Sequence, residues 1–179
     1  EPAGSSPYEG KRETRCKAAA ILQNLLKPGR TGVFLTAATG GIIGCLAWEP
    51  VNAWFLTPVS VWIFFKLVHN ATSATNAAGR GLIFGWFLFY GSLFWLNSLH
   101  KFHSLAPLGV VLLALYGGLY PSLTGFLAHK FSNSNSRVSN WIIFISIWLL
   151  TEWVRTLGRL AFPLVQLGHS WTHRPDLIQ

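Results

Sequence analysis

The sequence predicts an all-α protein of the membrane, a polytopic transmembrane helical bundle of about five helices. Hydrophobic residues make up 51% of its 179 residues and charged residues only 11%, whereas a soluble domain carries about 25% charged residues. The 14 basic and 6 acidic residues stand mainly between long apolar runs, as the flanks of membrane helices do. These runs lack two-residue alternation and are too long for barrel strands. Both features favour helices in lipid.

Charged residues bound the apolar runs, which lie at 31–48, 50–65, 81–100, 102–129 and 138–157. A helix needs about 20 mostly apolar residues to cross a hydrocarbon core of ~30 Å. The third and fourth runs satisfy that length. The first two are short, and they predict a tight helical hairpin around Glu49 and Pro50 that need not cross the bilayer fully.

The same charges divide the chain into three parts and orient it. We expect residues 1–30 to form a basic cytoplasmic tail, partly disordered, and residues 31–157 to form the transmembrane domain. Beyond the tail, positive charge concentrates in the second and fourth loops, at Lys66, Arg80, Lys130 and Arg137. The positive-inside rule then places the N-terminus in the cytoplasm and residues 158–179 at the outer face.

Small residues inside the runs predict where the helices touch one another. In lipid, glycine lets two helix backbones approach closely, so we expect helix–helix contacts at the glycines within the runs. These are Gly40, Gly41, Gly44, Gly81, Gly85, Gly117, Gly118 and Gly125.

Most of the chain offers little reactive chemistry. The basic residues form no stripe that would favour nucleic acid. Cys16 lies in the tail and Cys45 in an apolar run, without the base that a reactive thiolate needs. Two histidine pairs lack the further ligands of a zinc site, His100 with His103 and His169 with His173. We therefore expect no catalytic residue, metal, cofactor or nucleic-acid partner for this chain.

The most informative ionisable residues are Glu152 and Arg155, because charges inside an apolar run are costly in lipid. Three residues apart on a helix, they share a face and can meet, and Arg159 continues that face. One interpretation is a structural ion pair that closes the outer end of the helix. The other makes Arg155 or Arg159 a contact for the phosphate of a phospholipid head group, because a guanidinium matches phosphate geometry.

Several short motifs follow one another in a fixed order. The most specific series is Glu152-Trp153-Val154-Arg155, then Phe162-Pro163, then Gly168-His169-Ser170. Before it come residues 46–50 with Trp54, residues 81–91 with Trp95, and Tyr116 with Tyr120-Pro121. Over about residues 33–179 this order resembles the N-terminal membrane domain of the bacterial apolipoprotein N-acyltransferase family.

The resemblance implies a parent N-acyltransferase of the bacterial cytoplasmic (inner) membrane. Members of that family transfer an acyl chain from a phospholipid to the N-terminal diacylglyceryl-cysteine of a lipoprotein. The implied partners are thus a phospholipid acyl donor, a lipoprotein acceptor and the lipid bilayer. The family's Glu-Lys-Cys triad lies in a nitrilase-like domain after a further helix, so we expect it beyond residue 179. Residues expected to bind or support a lipid head group are Glu152, Arg155, Arg159, Phe162 and Pro163.

Two other classes remain open. One is a non-catalytic polytopic membrane protein, such as a scaffold or a degenerate paralogue. The other is a small transporter, for which charges near helix centres are expected, and only Glu152 and Arg155, near one helix end, come close. Continuation of the reading frame into a nitrilase-like domain would separate the enzyme from the scaffold.

Overall fold

The computed structural model describes residues 29–48, 50–132, 136–158 and 161–172. The chain divides into two compact units, Glu1–Val33 and Phe34–Gln179. The predicted basic tail, residues 1–30, lies outside the described residues except for its last two. All the contacts reported below lie within the second unit.

Five α-helices account for most of the described residues: α1 (Arg30–Cys45), α2 (Thr57–His69), α3 (Ala74–Ser92), α4 (Ala106–Phe131) and α5 (Arg137–Val154). Three 3₁₀ helices join or follow them, at Trp54–Leu56, Phe94–Lys101 and Leu167–Trp171. No β-strand occurs in the described ranges. The all-α fold class is therefore confirmed.

Local signals explain where several helices begin. Ser73 precedes α3, and its hydroxyl accepts a hydrogen bond from the Asn76 amide at 3.1 Å. Ser136 does the same for α5 through the Ser139 amide at 3.3 Å. Both satisfy a backbone donor that the first helical turn leaves without a partner. The second helix instead carries Pro58 in its first turn, where a missing amide proton costs nothing.

The third predicted run differs most from the structure. The sequence predicts one span over 81–100, but α3 begins earlier, at Ala74, and ends at Ser92. The 3₁₀ helix Phe94–Lys101 then continues at an angle of 53°. The first turn of α3 is polar, so hydropathy does not show that the helix begins at Ala74. The hydrogen bond from the Asn76 amide to the Ser73 hydroxyl stabilises this polar turn. Hydropathy also carries no information about a bend.

One helix in the described ranges, α4, is by length and composition alone able to cross a membrane. Helix α3 and the bent 3₁₀ helix meet the same criterion when they are taken together. Residues Trp54–His69 are apolar but shorter. The count of about five crossings thus stays a prediction.

The glycines predicted as contact points do lie between helices. A Cβ added to Gly85 of α3 would lie 2.8 Å from the Gly118 Cα of α4. A Cβ added to Gly125 would lie 2.6 Å from the Ala77 carbonyl oxygen. The absence of side chains at these points allows direct backbone contact.

Helices α1 and α2 contact each other, since the Ser60 hydroxyl donates to the Gly40 carbonyl at 2.8 Å. Their connection includes the 3₁₀ helix Trp54–Leu56, and the predicted tight turn around Glu49 and Pro50 stays a prediction.

Helix α4 has two faces of opposite character. Its small residues, including Ala114, Gly118 and Gly125, are buried against the other helices. Its large residues point outward and are exposed: Leu108, Leu112, Leu115, Leu119 and Leu123. A water-soluble helix would bury the leucines instead. This continuous exposed apolar face is of the kind that contacts lipid or another protein.

Aromatic rings fill the centre of the bundle. Phe64 of α2 is completely buried and stacks on Phe84 of α3, with ring centroids 4.5 Å apart and planes within 9°. Phe144 and Trp148 of α5 meet Phe64 edge-on at 5.4 and 5.3 Å. These edge-to-face and stacked geometries are favourable for aromatic pairs. The cluster therefore joins three helices at one point.

Candidate functional site

Arg155 follows directly after α5 and lies inside the protein, with only 2% of its surface exposed. Its Nη2 donates to the carbonyl oxygen of Val165 at 3.2 Å. The guanidinium carbon lies 4.9 Å from the Phe89 ring centroid and 5.9 Å from that of Tyr120. These rings attract the cation through their faces. The position of Arg155 is thus fixed by α3, α4 and the segment 161–172.

Glu152 binds the same segment from one turn earlier. Its Oε1 accepts a hydrogen bond from the Leu167 amide at 3.0 Å. Glu152 and Arg155 therefore each make a hydrogen bond to a backbone group of the segment. Because Arg155 is buried, a direct contact between its guanidinium and a lipid phosphate is disfavoured. A supporting role fits both residues.

The other predicted site residues are placed less uniformly. The Phe162 amide donates to the Arg155 carbonyl at 3.0 Å, and its side chain is half-buried. Pro163 is exposed beside Leu164, and it lies within the segment after α5 and not at the end of that helix. Arg159 lies outside the described residues, so its predicted contact with a head group stays a prediction.

Val165 adopts an unusual backbone conformation, with φ of 60°. A β-branched residue rarely adopts a positive φ, because its side chain crowds the neighbouring carbonyl group. Val165 is also buried, at 8% exposure. The two bonds from Glu152 and Arg155 reach the backbone at Leu167 and at Val165 itself. They restrain the chain at the point where it is most strained.

A cavity of about 560 Å³ opens beside this segment, a volume within the ~300–1,000 Å³ usual for ligand sites. Its apolar wall includes Ala47, Trp48, Leu93, Trp95 and Val165. Val165 also lines a void of about 20 Å³, whose other lining residues include Glu152 and Arg155. Val165 therefore separates the large cavity from the buried charges.

Polar residues also line the cavity, among them Asn52, Ser92 and His169. In the described residues the Ser92 hydroxyl is buried and has no hydrogen-bond partner. A buried hydroxyl is stabilised by a partner, and here a ligand carbonyl oxygen would supply one. Mostly apolar walls with a few polar groups suit a ligand that is itself mostly apolar.

Residues near the C-terminal end of the segment 161–172 also contact the rest of the bundle. The Ser170 hydroxyl lies 3.1 Å from the Thr57 hydroxyl at the start of α2, in a buried contact. The Trp171 ring lies 5.1 Å from that of Trp54, and the His169 ring lies 6.5 Å from that of Trp48. The segment thus crosses one end of the bundle and forms a wall of the cavity.

Sequence reasoning missed Ser92 and Val165. A hydroxyl residue inside the apolar run 81–100 is a weak signal for Ser92, because serine is common within such runs. Nothing in the residue type predicts a positive φ at Val165, which depends on contacts made across the fold. The predicted pair His100 and His103 binds local backbone groups, since their Nδ1 atoms pair with Asn97 O and Leu105 N at 2.8 and 3.3 Å.

Comparison with known proteins places the chain in a family. Residues 40–179 match the model of the apolipoprotein N-acyltransferase N-terminal domain. The chain is 35% identical to the apolipoprotein N-acyltransferase of Haemophilus influenzae over 149 residues, which cover 79% of the chain and 27% of that relative. It is 33% identical to the Vibrio cholerae protein of the same name over 147 residues, 79% of the chain and 29% of the relative.

A third relative, the apolipoprotein N-acyltransferase of Methylococcus capsulatus, is 32% identical over 144 residues, 77% of the chain and 28% of the relative. The chain thus spans less than a third of the length of these relatives. The matched region includes α2 to α5, the segment 161–172 and every residue that lines the cavity. The chain belongs to the apolipoprotein N-acyltransferase family, and it contains the N-terminal domain of that family.

Proposed function

We propose that this domain is the membrane platform of an enzyme that transfers an acyl chain from a phospholipid to the N-terminal diacylglyceryl-cysteine of bacterial lipoproteins. Membership of the family supports the reaction class. The cavity of about 560 Å³ is the observation that supports a lipid substrate. Its apolar walls suit an acyl chain, and the unpartnered Ser92 hydroxyl suits an ester or phosphate oxygen.

The domain supplies the binding surface in this proposal, and the covalent chemistry belongs to the Glu-Lys-Cys triad expected elsewhere in the parent protein. In that chemistry the thiolate attacks the phospholipid ester, a thioester forms and the lysophospholipid leaves. The acceptor amine then attacks the thioester and releases the thiolate. An apolar cavity would keep the chain near the attacking groups, which raises the rate by proximity.

Family membership and the surface of the helices both support a location in the bacterial cytoplasmic (inner) membrane. The exposed leucine stripe of α4 suits lipid, while glycine contacts hold α3 and α4 together inside. We extend this to about five crossings, with the N-terminus in the cytoplasm and residues 158–179 at the outer face. The segment that forms the cavity wall then lies at the outer surface.

Cysteine labelling tests this topology in intact cells. In a background with Cys16→Ser and Cys45→Ser, Thr172→Cys is expected to react with a membrane-impermeant maleimide added outside, because Thr172 is exposed. Ser5→Cys in the predicted tail should react only after the inner face is opened. Labelling of both positions from the same side would contradict the five crossings.

The reaction is tested with the full-length protein, a phospholipid that carries a fluorescent acyl chain and a diacylated lipopeptide. We expect Arg155→Ala to lower acyl transfer about ten-fold or more, equivalent to ~1.4 kcal/mol, and to lower membrane insertion less. Arg137→Ala is the matched control, because Arg137 is exposed at the other end of α5. Unchanged turnover in Arg155→Ala would limit the residue to a structural role in holding the segment 161–172.

The unaltered protein provides the more basic test. If the full-length protein transfers no acyl chain under conditions in which an established relative does, the proposed reaction is wrong. The chain would then fit a non-catalytic membrane protein of the same family.

A further inference from the structure

The wall of the cavity contains the most strained residue among those that the structure describes. Val165 has φ of 60°, and the other described residues with positive φ are Asn52 and Gly158, whose types tolerate it. Val165 is buried, so relaxing its backbone would move atoms on both the cavity side and the Arg155 side. Strain of this kind persists only where the surroundings hold it, and it often marks a functional position.

Two side chains from the end of α5 hold this conformation. Arg155 binds the carbonyl group of Val165, and Glu152 binds the amide of Leu167 two residues later. A φ near +60° turns the chain sharply, so these two backbone groups both face the end of α5. With φ near its usual negative value the chain would take another direction, and both bonds would be lost together.

The Arg155 guanidinium has little freedom to follow such a movement. Its guanidinium carbon lies 4.9 Å from the ring centroid of Phe89 and 5.9 Å from that of Tyr120. The Arg155 side chain is also buried. A buried, charged hydrogen-bond donor loses much when its acceptor moves away, because water does not replace the partner. The bond therefore stabilises one backbone position at Val165 over its alternatives.

We infer that Glu152 and Arg155 are positioning residues that hold Val165 in its left-handed conformation and thereby set the shape of the cavity that receives an acyl chain. The inference rests on the proposed function, since it assigns the cavity to that chain. Neither residue touches the lipid in this arrangement. They act through the backbone of Val165, which is one of the residues that line the cavity.

A double substitution tests this directly in the purified full-length protein. Dansyl-labelled undecanoic acid in detergent micelles serves as the acyl probe. Arg155→Ala should weaken its binding about ten-fold, the equivalent of losing one good buried hydrogen bond to a charged group. Adding Val165→Gly should recover most of that loss, because glycine adopts positive φ without strain. Adding Val165→Ala should recover none, because alanine keeps the steric penalty.

The comparison of glycine with alanine separates positioning from a general structural role. Both remove the two γ-methyl groups of valine from the wall, and alanine alone keeps the Cβ that makes a positive φ costly. Equal binding by the two double variants would overturn the inference. So would full binding by Arg155→Ala alone.

A second measurement covers the case in which Arg155→Ala does not fold. Hydrogen exchange of the peptide that contains Leu167 should be faster in Glu152→Ala than in the unaltered protein. It should stay slow in Glu152→Gln, because the glutamine carbonyl oxygen can still accept from the Leu167 amide. Equal exchange in all three proteins would show that Glu152 does not hold the segment.

The two measurements also distinguish this inference from the proposed function. If the unaltered protein does not bind the probe, the assignment of the cavity to an acyl chain is wrong, whatever Leu167 does. If it binds the probe and neither substitution series responds as described, the positioning role alone is wrong.

Discussion

Replacing Gly85 by leucine is expected to destabilise the protein by about 3 kcal/mol or more. Even a Cβ at this position would lie 2.8 Å from the Gly118 Cα and 2.8 Å from the Pro121 Cγ of α4. The backbone of α4 has no flexible side chain there that could move aside, so α3 and α4 must separate. Unfolding by SDS in mixed micelles, followed by tryptophan fluorescence, measures the change in free energy.

The matched control is Gly79→Leu in the same helix. Gly79 is exposed, and a Cβ added there has no other atom within 4 Å. Leucine favours helix over glycine by up to about 1 kcal/mol, so this variant should be as stable as the unaltered protein or slightly more so. If the two variants lose the same stability, contact between α3 and α4 is not the reason.

Phe64→Ala is expected to cost about 2–4 kcal/mol of unfolding free energy. Phe64 has no exposed surface and lies against Phe84, Phe144 and Trp148. In the proposed membrane setting, lipid tails are as apolar as this core, so transfer from solvent contributes less than it would in water. The cost comes mainly from contacts that the surrounding rings lose around the space left behind.

The same SDS titration measures this variant, with Phe131→Ala as its control. Phe131 is 60% exposed at the end of α4, so its truncation should change stability by no more than about 0.5 kcal/mol. A loss of similar size in both variants would mean that burial among the aromatic rings does not decide the cost.

The contacts between helices were predictable from the sequence, because glycines within apolar helices indicate close contact between helix backbones. Glycine costs helix stability, so its repeated presence within apolar runs indicates a contact that larger residues would prevent. Gly85 and Gly125 bear this out. The beginning of α3 was harder to predict from the sequence. The Ser73 cap and the polar turn after it extend the helix beyond its apolar run.

The candidate site divides in a similar way. Glu152 and Arg155 could be found from sequence, because a charge in an apolar run requires a compensating contact. The partners of these two charges could not be predicted from the sequence. They are backbone groups, the carbonyl of Val165 for Arg155 and the amide of Leu167 for Glu152. Backbone groups are the same in every residue, so only the fold determines which of them faces a given side chain.

In the membrane arrangement proposed above, the unequal helix lengths would have a consequence for the bilayer. With a rise of 1.5 Å per residue, the 26 residues of α4 extend about 39 Å and the 13 residues of α2 about 20 Å. A hydrocarbon core is ~30 Å thick, so one side of the protein exceeds that thickness and another falls short. Tilting accommodates the long helix, and local thinning of the bilayer accommodates the short one. Lipids beside α2 would therefore be held in a compressed layer.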